Sequence, residues 1–299
     1  MLTVVIPATD RPPSLARCLA AVARSGEPHV VELVSGPAGA GPAAARNAGV
    51  VRSGGEIVVF VDSDVEVHPD ALGRIRERLE ADPSLDAVFG AYDDRPAAGQ
   101  AVSRFRNLLH HHVHVSSPGP ATTFWAGLGA VRREALHAVG GFDERRYPRP
   151  SIEDVELGMR LHAAGRRIVL DPAVRGTHLK CWTLRSMVHT DVARRGAPWV
   201  ALSLERGAAG RSLNLGPRHR AAAVAAVLSA VAVVLRRPLF AAAALGAMIA
   251  PNMSFYALLA RRGGIRLALL GVPLHLVHHL SAVLSVPAGL VLWARSARA

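Results

Sequence analysis

Two acidic pairs and a solitary lysine are the residues in this chain whose types and spacing could do chemistry. Asp62 and Asp64 flank the small Ser63 directly after the apolar run 57–61. Hard carboxylate oxygens at that spacing suit magnesium or manganese, and such an ion also bridges phosphate oxygens. By itself a D-x-D is a weak signal, because loop aspartates also cap helices and turns. The second pair, Glu153 and Asp154, opens "SIEDVELGMRLHAAG" (151–165). Its apolar spacing predicts a helix with Ser151 at the N-cap and Gly165 at its end, where Asp154 would be the third-position partner of a capping box. Lys180 is the one lysine beside 34 arginines. A compact ammonium kept at a single place suits a phosphate contact better than a guanidinium fork does.

Alternating strands and helices must position these groups. "LTVVIPAT" reads as a strand, "PSLARCLAAVARSG" as a helix closed by Gly26, and "HVVELVSGP" as a second strand. "GPAAARNAGVVRSGG" reads as loop and helix, "EIVVFVDSD" as a buried strand, "PDALGRIRERLEAD" as a helix and "LDAVFGAY" as a strand. Repeated βαβ units imply a mostly parallel sheet covered by helices on both faces, with ligands at the carboxyl ends of the strands. Asp62 and Asp64 fall at such an end. Asp10, after the first strand, is placed to cap the next helix.

Composition changes after residue 220. All 23 acids lie at or before Glu205, and residues 221–299 carry seven arginines and no acid, within a net charge of +12. Apolar runs fill 221–235, 239–260 and 265–293, separated by Arg236-Arg237-Pro238 and Arg261-Arg262-Gly263-Gly264. About 20 apolar residues cross a bilayer, so the second and third runs are long enough and the first is short. Arginines that punctuate apolar segments point to a membrane and not to nucleic acid. We expect a catalytic domain over 1–205, an interfacial linker over 206–220 and two to three membrane helices over 221–299. The positive-inside rule puts the first domain in the cytoplasm of a multi-pass protein of the cell membrane. Cys18 and Cys181 lie far apart without metal-ligand spacing, which fits a reducing compartment, and the first residues predict no cleaved leader.

Six pieces in order carry a resemblance: "VVIPATDRPPSLARCLAAV", "GPAAARNAG", "VFVDSDVEVHPDAL", "FWAGLGAVRREALHAVGGFDE", "SIEDVELGMRLHAAGRRI" and "THLKCW". Over residues 2–200 the sequence resembles the family 2 glycosyltransferases, which have the GT-A fold. The resemblance implies that Pro7, Ala8 and Asp10 bind the base and ribose of a nucleotide. It implies further that Asp62, Ser63 and Asp64 meet the diphosphate and a divalent cation, manganese or magnesium, with Asp64 the direct ligand and His178 a further one. Arg46 would pair with a phosphate or hold the nucleotide-binding acid, and Lys180 would contact phosphate. Trp125, Ala126 and Gly127 would line the sugar and acceptor cleft, with Trp125 either stacked on a sugar or part of the core. Gly140, Gly141, Phe142 and Asp143 make the turn into the base-bearing loop. Glu153 would bind or orient the acceptor, and Asp154 would remove the proton of its hydroxyl. The second strand departs from the family in offering only Glu32 and Ser35 where an Asp-rich turn contacts the base.

The expectation is therefore an inverting, metal-dependent transfer from a nucleotide-diphosphate sugar, UDP-linked, to a hydroxyl of a lipid or lipid-linked glycan. Two alternatives stand beside it: a polyprenyl-phosphate sugar synthase on the same fold, and a non-catalytic sugar-nucleotide-binding scaffold. The histidines of "HHHVH" (110–114) are read as part of a mobile acceptor loop, and those of "LHLVHH" (274–279) as interfacial. Neither group is read as a metal site.

Overall fold

The computed structural model describes residues 1–9, 12–35, 40–207 and 216–296. Asp10 and most of the expected linker lie outside the described residues. The chain forms two compact units, one of Met1–Ala98 with Val113–Lys180, the other of Gly99–His112 with Cys181–Ala299.

The first unit is built on one sheet. Its strands are β1 (Leu2–Pro7), β2 (His29–Val34), β3 (Ile57–Val61), β4 (Val65–Val67), β5 (Ala87–Tyr92), β6 (Gly119–Ala121), β7 (Leu128–Arg132) and β8 (Ile168–His178). Helices α1 (Leu15–Ala23), α2 (Pro42–Arg52) and α3 (Ala71–Ala81) alternate with the early strands as the punctuation predicts. The first helix stops at Ala23 with Arg24 as its cap, before Gly26. β1 pairs in parallel with both β2 and β3, and every residue of β1 and β3 is buried, as a central strand covered on both faces requires.

The order β2-β1-β3-β7-β5-β8-β4 makes the sheet mixed. β7 enters antiparallel between β3 and β5, with Leu128 opposite Val61. This returns residues 125–127 to the rim where β3 ends. β8 runs parallel to β5 through a register shift at Phe89–Ala91, and beyond it β4 adds antiparallel, with Val65 opposite His178. A Cβ on Gly90 would sit 2.2 Å from the Val174 carbonyl oxygen, so the shift is possible only because residue 90 has no side chain. The fold thus brings the ends of β3, β5 and β8 and the start of β7 to one rim. Phe60, Phe89, Phe124 and Phe142 pack edge to face beneath it.

The second unit is helical. α4 (Ala101–Val115) begins in it, so the "HHHVH" histidines lie on a helix and not in a loop. His111 and His114 are buried, and only a helix can place such spaced positions on one inward face while hydrogen-bonding its own backbone. After the short α5 (Arg133–Ala138) and α6 (Glu153–Ala163) of the first unit come α7 (Leu184–His189), a π-helical stretch over Thr190–Gly196 and α8 (Ala197–Arg206). α9 (Pro217–Val234), α10 (Pro238–Ile249) and α11 (Met253–Ser296) follow, the last broken at Gly264 with φ of 72°. Two described helices, Pro217–Val234 and Pro238–Ser296, are long and apolar enough to cross a membrane. The first run, short in the sequence, gains a turn because Pro217 starts the helix ahead of it.

Candidate active site

Asp62 and Asp64 leave β3 on a turn pinned from three sides. The Asp62 amide donates to the Gly127 carbonyl at 3.1 Å, the Ser14 hydroxyl donates to the Ser63 carbonyl at 3.1 Å, and the Leu179 amide donates to the Asp64 carbonyl at 2.8 Å. Held in this way, the carboxylates diverge. Asp62 turns to Arg46, whose Nη2 lies 2.7 Å from Oδ1. Asp64 turns to His178, with Nε2 3.4 Å from Oδ2.

Arg46 is buried on α2 and reaches two acids. Its Nη1 lies 2.9 Å from Glu153 Oε1, so one guanidinium joins the end of β3 to the start of α6. The Phe142 ring lies 5.3 Å from its carbon. Although burial works against its charge, Asp62, Glu153 and Asp154 hold Arg46 firmly protonated. Burial pushes the Asp62 carboxyl above the usual range, with Arg46 opposing and Asp64 reinforcing the rise. For Asp64 burial also works upward, but the hydrogen bond and charge of His178, with Lys180 behind them, bring its carboxyl below the usual range.

The helix bearing the second acidic pair starts differently from the capping-box expectation. Its N-cap is Ile152, without a side-chain cap, and Ser151 lies outside, donating its amide to Glu153 Oε2 at 2.8 Å. Asp154 accepts from the Ala126 amide at 3.1 Å and from the Val155 amide at 2.8 Å. A tertiary partner therefore takes the carboxylate that local pattern assigns to a cap. The approach of α6 to the segment ahead of β7 is close: a Cβ on Gly158 would lie 2.1 Å from the Phe124 nitrogen. Asp62 and Asp154 thus grip neighbouring peptide groups of one segment, 126–127, from two elements.

Other candidate residues fall around this centre. Pro7 ends β1, and buried Ala8 donates its amide to the Val34 carbonyl at 2.8 Å. Lys180 is exposed, within electrostatic reach of Asp64. Trp125 is 9% exposed and packs edge-on against Tyr92, with ring centroids 4.8 Å apart, so it belongs to the core behind the rim and offers no stacking face to a sugar. Gly140 and Gly141 take φ of 76° and 71° in the turn before Asp143, whose Oδ1 accepts from the Arg146 amide at 3.0 Å.

Sequence reasoning missed Tyr92 and Asp93. Tyr92 stacks on His178 with centroids 4.2 Å apart and planes within 9°. Asp93 accepts from the Thr177 hydroxyl and lies 3.0 Å from His68 Nε2, tying the end of β5 to the residue beside His178. Their signal was their position at the carboxyl end of a parallel strand, the same rule that singles out Asp62.

The donor set can be tested against a divalent cation. Six-coordinate ligands about 2.1 Å from an ion stand about 3 Å apart, so an Asp64 oxygen and His178 Nε2 at 3.4 Å fit a shared ion with little movement. Asp62, engaged by Arg46, is not part of that pair. Among the described residues no group of three His, Cys, Asp or Glu side chains stands ready to hold a metal, so further ligands would come from substrate or water.

Residues 23–140 match the family model described as Glycosyl transferase family 2. Two curated relatives, both described as pre-mycofactocin glycosyltransferase, from Mycobacterium tuberculosis strains CDC 1551 / Oshkosh and ATCC 25618 / H37Rv, are each 29% identical over 167 residues. Those matches cover 52% of this chain and 34% of each relative, so the chain spans about a third of the length of the curated relatives it matches. Among solved structures, the mannosyltransferase PcManGT of Pyrobaculum calidifontis, in complex with GDP-Man and Mn2+, shares the fold at a TM-score of 0.53. It is 17% identical, with 98% of this chain and 86% of that chain covered.

Proposed function

We propose, from the match of residues 23–140 to the glycosyl transferase family 2 model, that the chain moves a sugar from a nucleotide diphosphate, UDP-linked, to a hydroxyl of a lipid or lipid-linked glycan, with inversion. The observation that carries the reading is the Arg46 bridge, which ties Asp62 of the D-x-D to Glu153 at the head of α6. Donor-side and acceptor-side acids then form one rim and not two separate features.

The roles follow from what each group touches. Asp64 and His178 would hold a divalent cation, and the fold neighbour is in complex with GDP-Man and Mn2+. When bound, the cation supplies Lewis-acid neutralisation of the leaving diphosphate. Lys180, exposed within electrostatic reach of Asp64, adds a positive charge for the same phosphates. Arg46, fixed between two carboxylates, orients Asp62 and Glu153. Asp154 receives the acceptor proton, its carboxylate plane set by the Ala126 and Val155 amides. A Cβ on Gly127 would meet the Trp125 indole at 2.4 Å, so the glycine lets that ring pack behind the rim. Apolar helices able to cross a membrane favour a lipid-borne acceptor and a multi-pass anchor, with the catalytic unit on the cytoplasmic side.

The test is Asp154→Asn in the full chain, assayed by nucleotide release from a panel of nucleotide sugars. The expected outcome is a loss of about 10²- to 10⁴-fold in transfer with nucleotide binding in manganese retained. Near-wild-type turnover would show that no hydroxyl needs deprotonation and would move the acceptor to a phosphate.

A further inference from the structure

Charge divides between the two units more sharply than the change of composition at residue 220 suggests. Residues 99–112 and 181–299, the helical unit, hold 16 of the 35 basic residues and two of the 23 acids. Its net charge is therefore +14, which leaves −2 for the unit that carries the sheet. Of the two acids, Asp191 is buried between Arg106 and His278, so Glu205 is the one exposed acid among the described residues of the unit. The same unit carries 21 of the 26 large apolar side chains that the described residues expose. A surface at once apolar and cationic fits the headgroup layer of an anionic bilayer. Nucleic acid would be met by a polar cationic face instead.

Both properties meet at the break in α11. At Gly264 the backbone leaves helical geometry, with φ of 72° and ψ of 173°. Carbonyls just before such a break lose their amide donors. The Arg104 guanidinium, from α4 of the same unit, donates to the Arg262 carbonyl and so stands in for one of them. Three exposed arginines, Arg261, Arg262 and Arg266, lie within the six residues 261–266. Ile265 and Leu269 beside them are 71% and 65% exposed. No acid follows Glu205 in the sequence, and Arg261 and Arg266 pair with none among the described residues.

Each part of that exposed corner has a counterpart in a lipid. Guanidinium forks match phosphate oxygens two at a time, and an exposed fork without a carboxylate keeps that capacity. The apolar shoulder asks for more than a phosphate. A free anion would leave Ile265 and Leu269 in water, whereas a lipid sets its phosphate on the arginines and its acyl chains on the apolar side. A zwitterionic lipid brings its own cation, which a unit of charge +14 repels.

We propose that the break at Gly264 is a binding site for the phosphate headgroup of an anionic lipid, with Arg261 and Arg266 as its ligands and Arg104 fixing the backbone that carries them. The inference rests on the membrane anchoring proposed above and needs no count of crossings.

The test uses the full chain in a non-ionic detergent and follows its unfolding midpoint, so that no transfer activity enters the readout. Phosphatidylglycerol is expected to raise the midpoint by about 3 °C or more, and phosphatidylcholine, inorganic phosphate and a short single-stranded RNA to give no comparable rise. Arg261→Gln combined with Arg266→Gln is expected to need about 25-fold more phosphatidylglycerol for half of the rise, about fivefold for each arginine. Arg236→Gln combined with Arg237→Gln removes the same charge from the turn between α9 and α10 and is expected to leave the requirement nearly unchanged. The inference is overturned if phosphatidylglycerol gives no rise, or if phosphatidylcholine, inorganic phosphate or RNA matches it, since the site would then take acyl chains, a free anion or nucleic acid. An equal loss in both double variants overturns it too, because the effect would belong to net charge and not to the break. Arg266→Gln alone, with about a fivefold change expected, repeats the measurement should the double variant fail to fold. Protein that stays monodisperse without detergent would remove the anchoring itself, and this inference with it, whatever a transfer assay shows.

Discussion

Each unit buries an arginine against acid, and the two clusters balance differently. At the sheet rim Arg46 faces Asp62 and Glu153, with Asp64 and Asp154 each one or two residues further along. In the helical unit Arg106 faces the single carboxylate of Asp191, at 2.6 Å, and His278 Nδ1 approaches the same carboxylate at 2.8 Å. The rim is over-supplied with acid, and burial raises the Asp62 carboxyl. The helical cluster is over-supplied with base: burial opposes the charge of Asp191, yet Arg106 and His278 carry its carboxyl down to about 2. A buried cluster closed on itself is a structural device. One left with excess negative charge is where the cation of the proposed function would be held.

The comparison breaks most readily at the two arginines. Removing one partner of a buried ion cluster costs about 3–5 kcal/mol because the charge left behind is uncompensated. Arg46→Met is expected to lose about that much stability and also to reduce transfer by at least tenfold at temperatures where it remains folded, since Asp62 and Glu153 lose their common anchor. Arg106→Met is expected to lose comparable stability while the folded fraction keeps turnover within about threefold. Thermal unfolding followed beside nucleotide release separates these outcomes, and the contrast fails if both variants lose only stability.

A smaller effect distinguishes the clusters by pH. The Asp191 carboxyl, at about 2 against an ordinary 3.8, contributes stability that is complete above the ordinary value and is lost as pH falls toward 2. The shift corresponds to about 2 kcal/mol. Asp62 has the opposite sign: a raised carboxyl makes its charge a burden that acid relieves. Melting temperatures measured from pH 7 to pH 2.5 are therefore expected to show a steep acid loss that Asp191→Asn flattens. At pH 7, Asp62→Asn should cost less than Asp191→Asn. Equal costs would mean that the rim is as closed as the helical cluster.

Legibility in the sequence followed the range of the forces involved. The alternation up to Tyr92 was readable because strand periodicity, turn residues and helix stops are local. The antiparallel entry of β7 was not, since nothing in "LGAVR" says which strands will flank it. Asp154 shows the same limit at one residue: local pattern offered a cap, and a peptide group 28 residues away took the carboxylate. The helix at 101–115 was hidden because spaced histidines look polar until the core they face is known. For Arg46 the sequence leaves open a phosphate partner or the nucleotide-binding acid; the structure joins it to Asp62, and its second partner, Glu153, lies 107 residues away and left no trace in the pattern.

The smallest expected effect concerns Tyr92, which no motif marked. Its ring lies flat on His178, and the Asp93–Thr177 hydrogen bond fixes the strand ends that carry the two rings. A stacked pair contributes about 1 kcal/mol beyond its burial, which is roughly a fivefold change in an equilibrium. If the stack serves to aim His178 Nε2 at the ion shared with Asp64, Tyr92→Leu should raise the manganese concentration for half-maximal nucleotide release about fivefold while leaving turnover in saturating manganese nearly unchanged. Tyr92→Phe, which keeps the ring and loses the hydroxyl, should restore the wild-type requirement. A general loosening of the core would lower stability and turnover together and leave the cation requirement in place. Movement of the requirement alone is therefore the signature of a positioning role at the rim, and the helical cluster, with no cation to aim, should give none under any substitution.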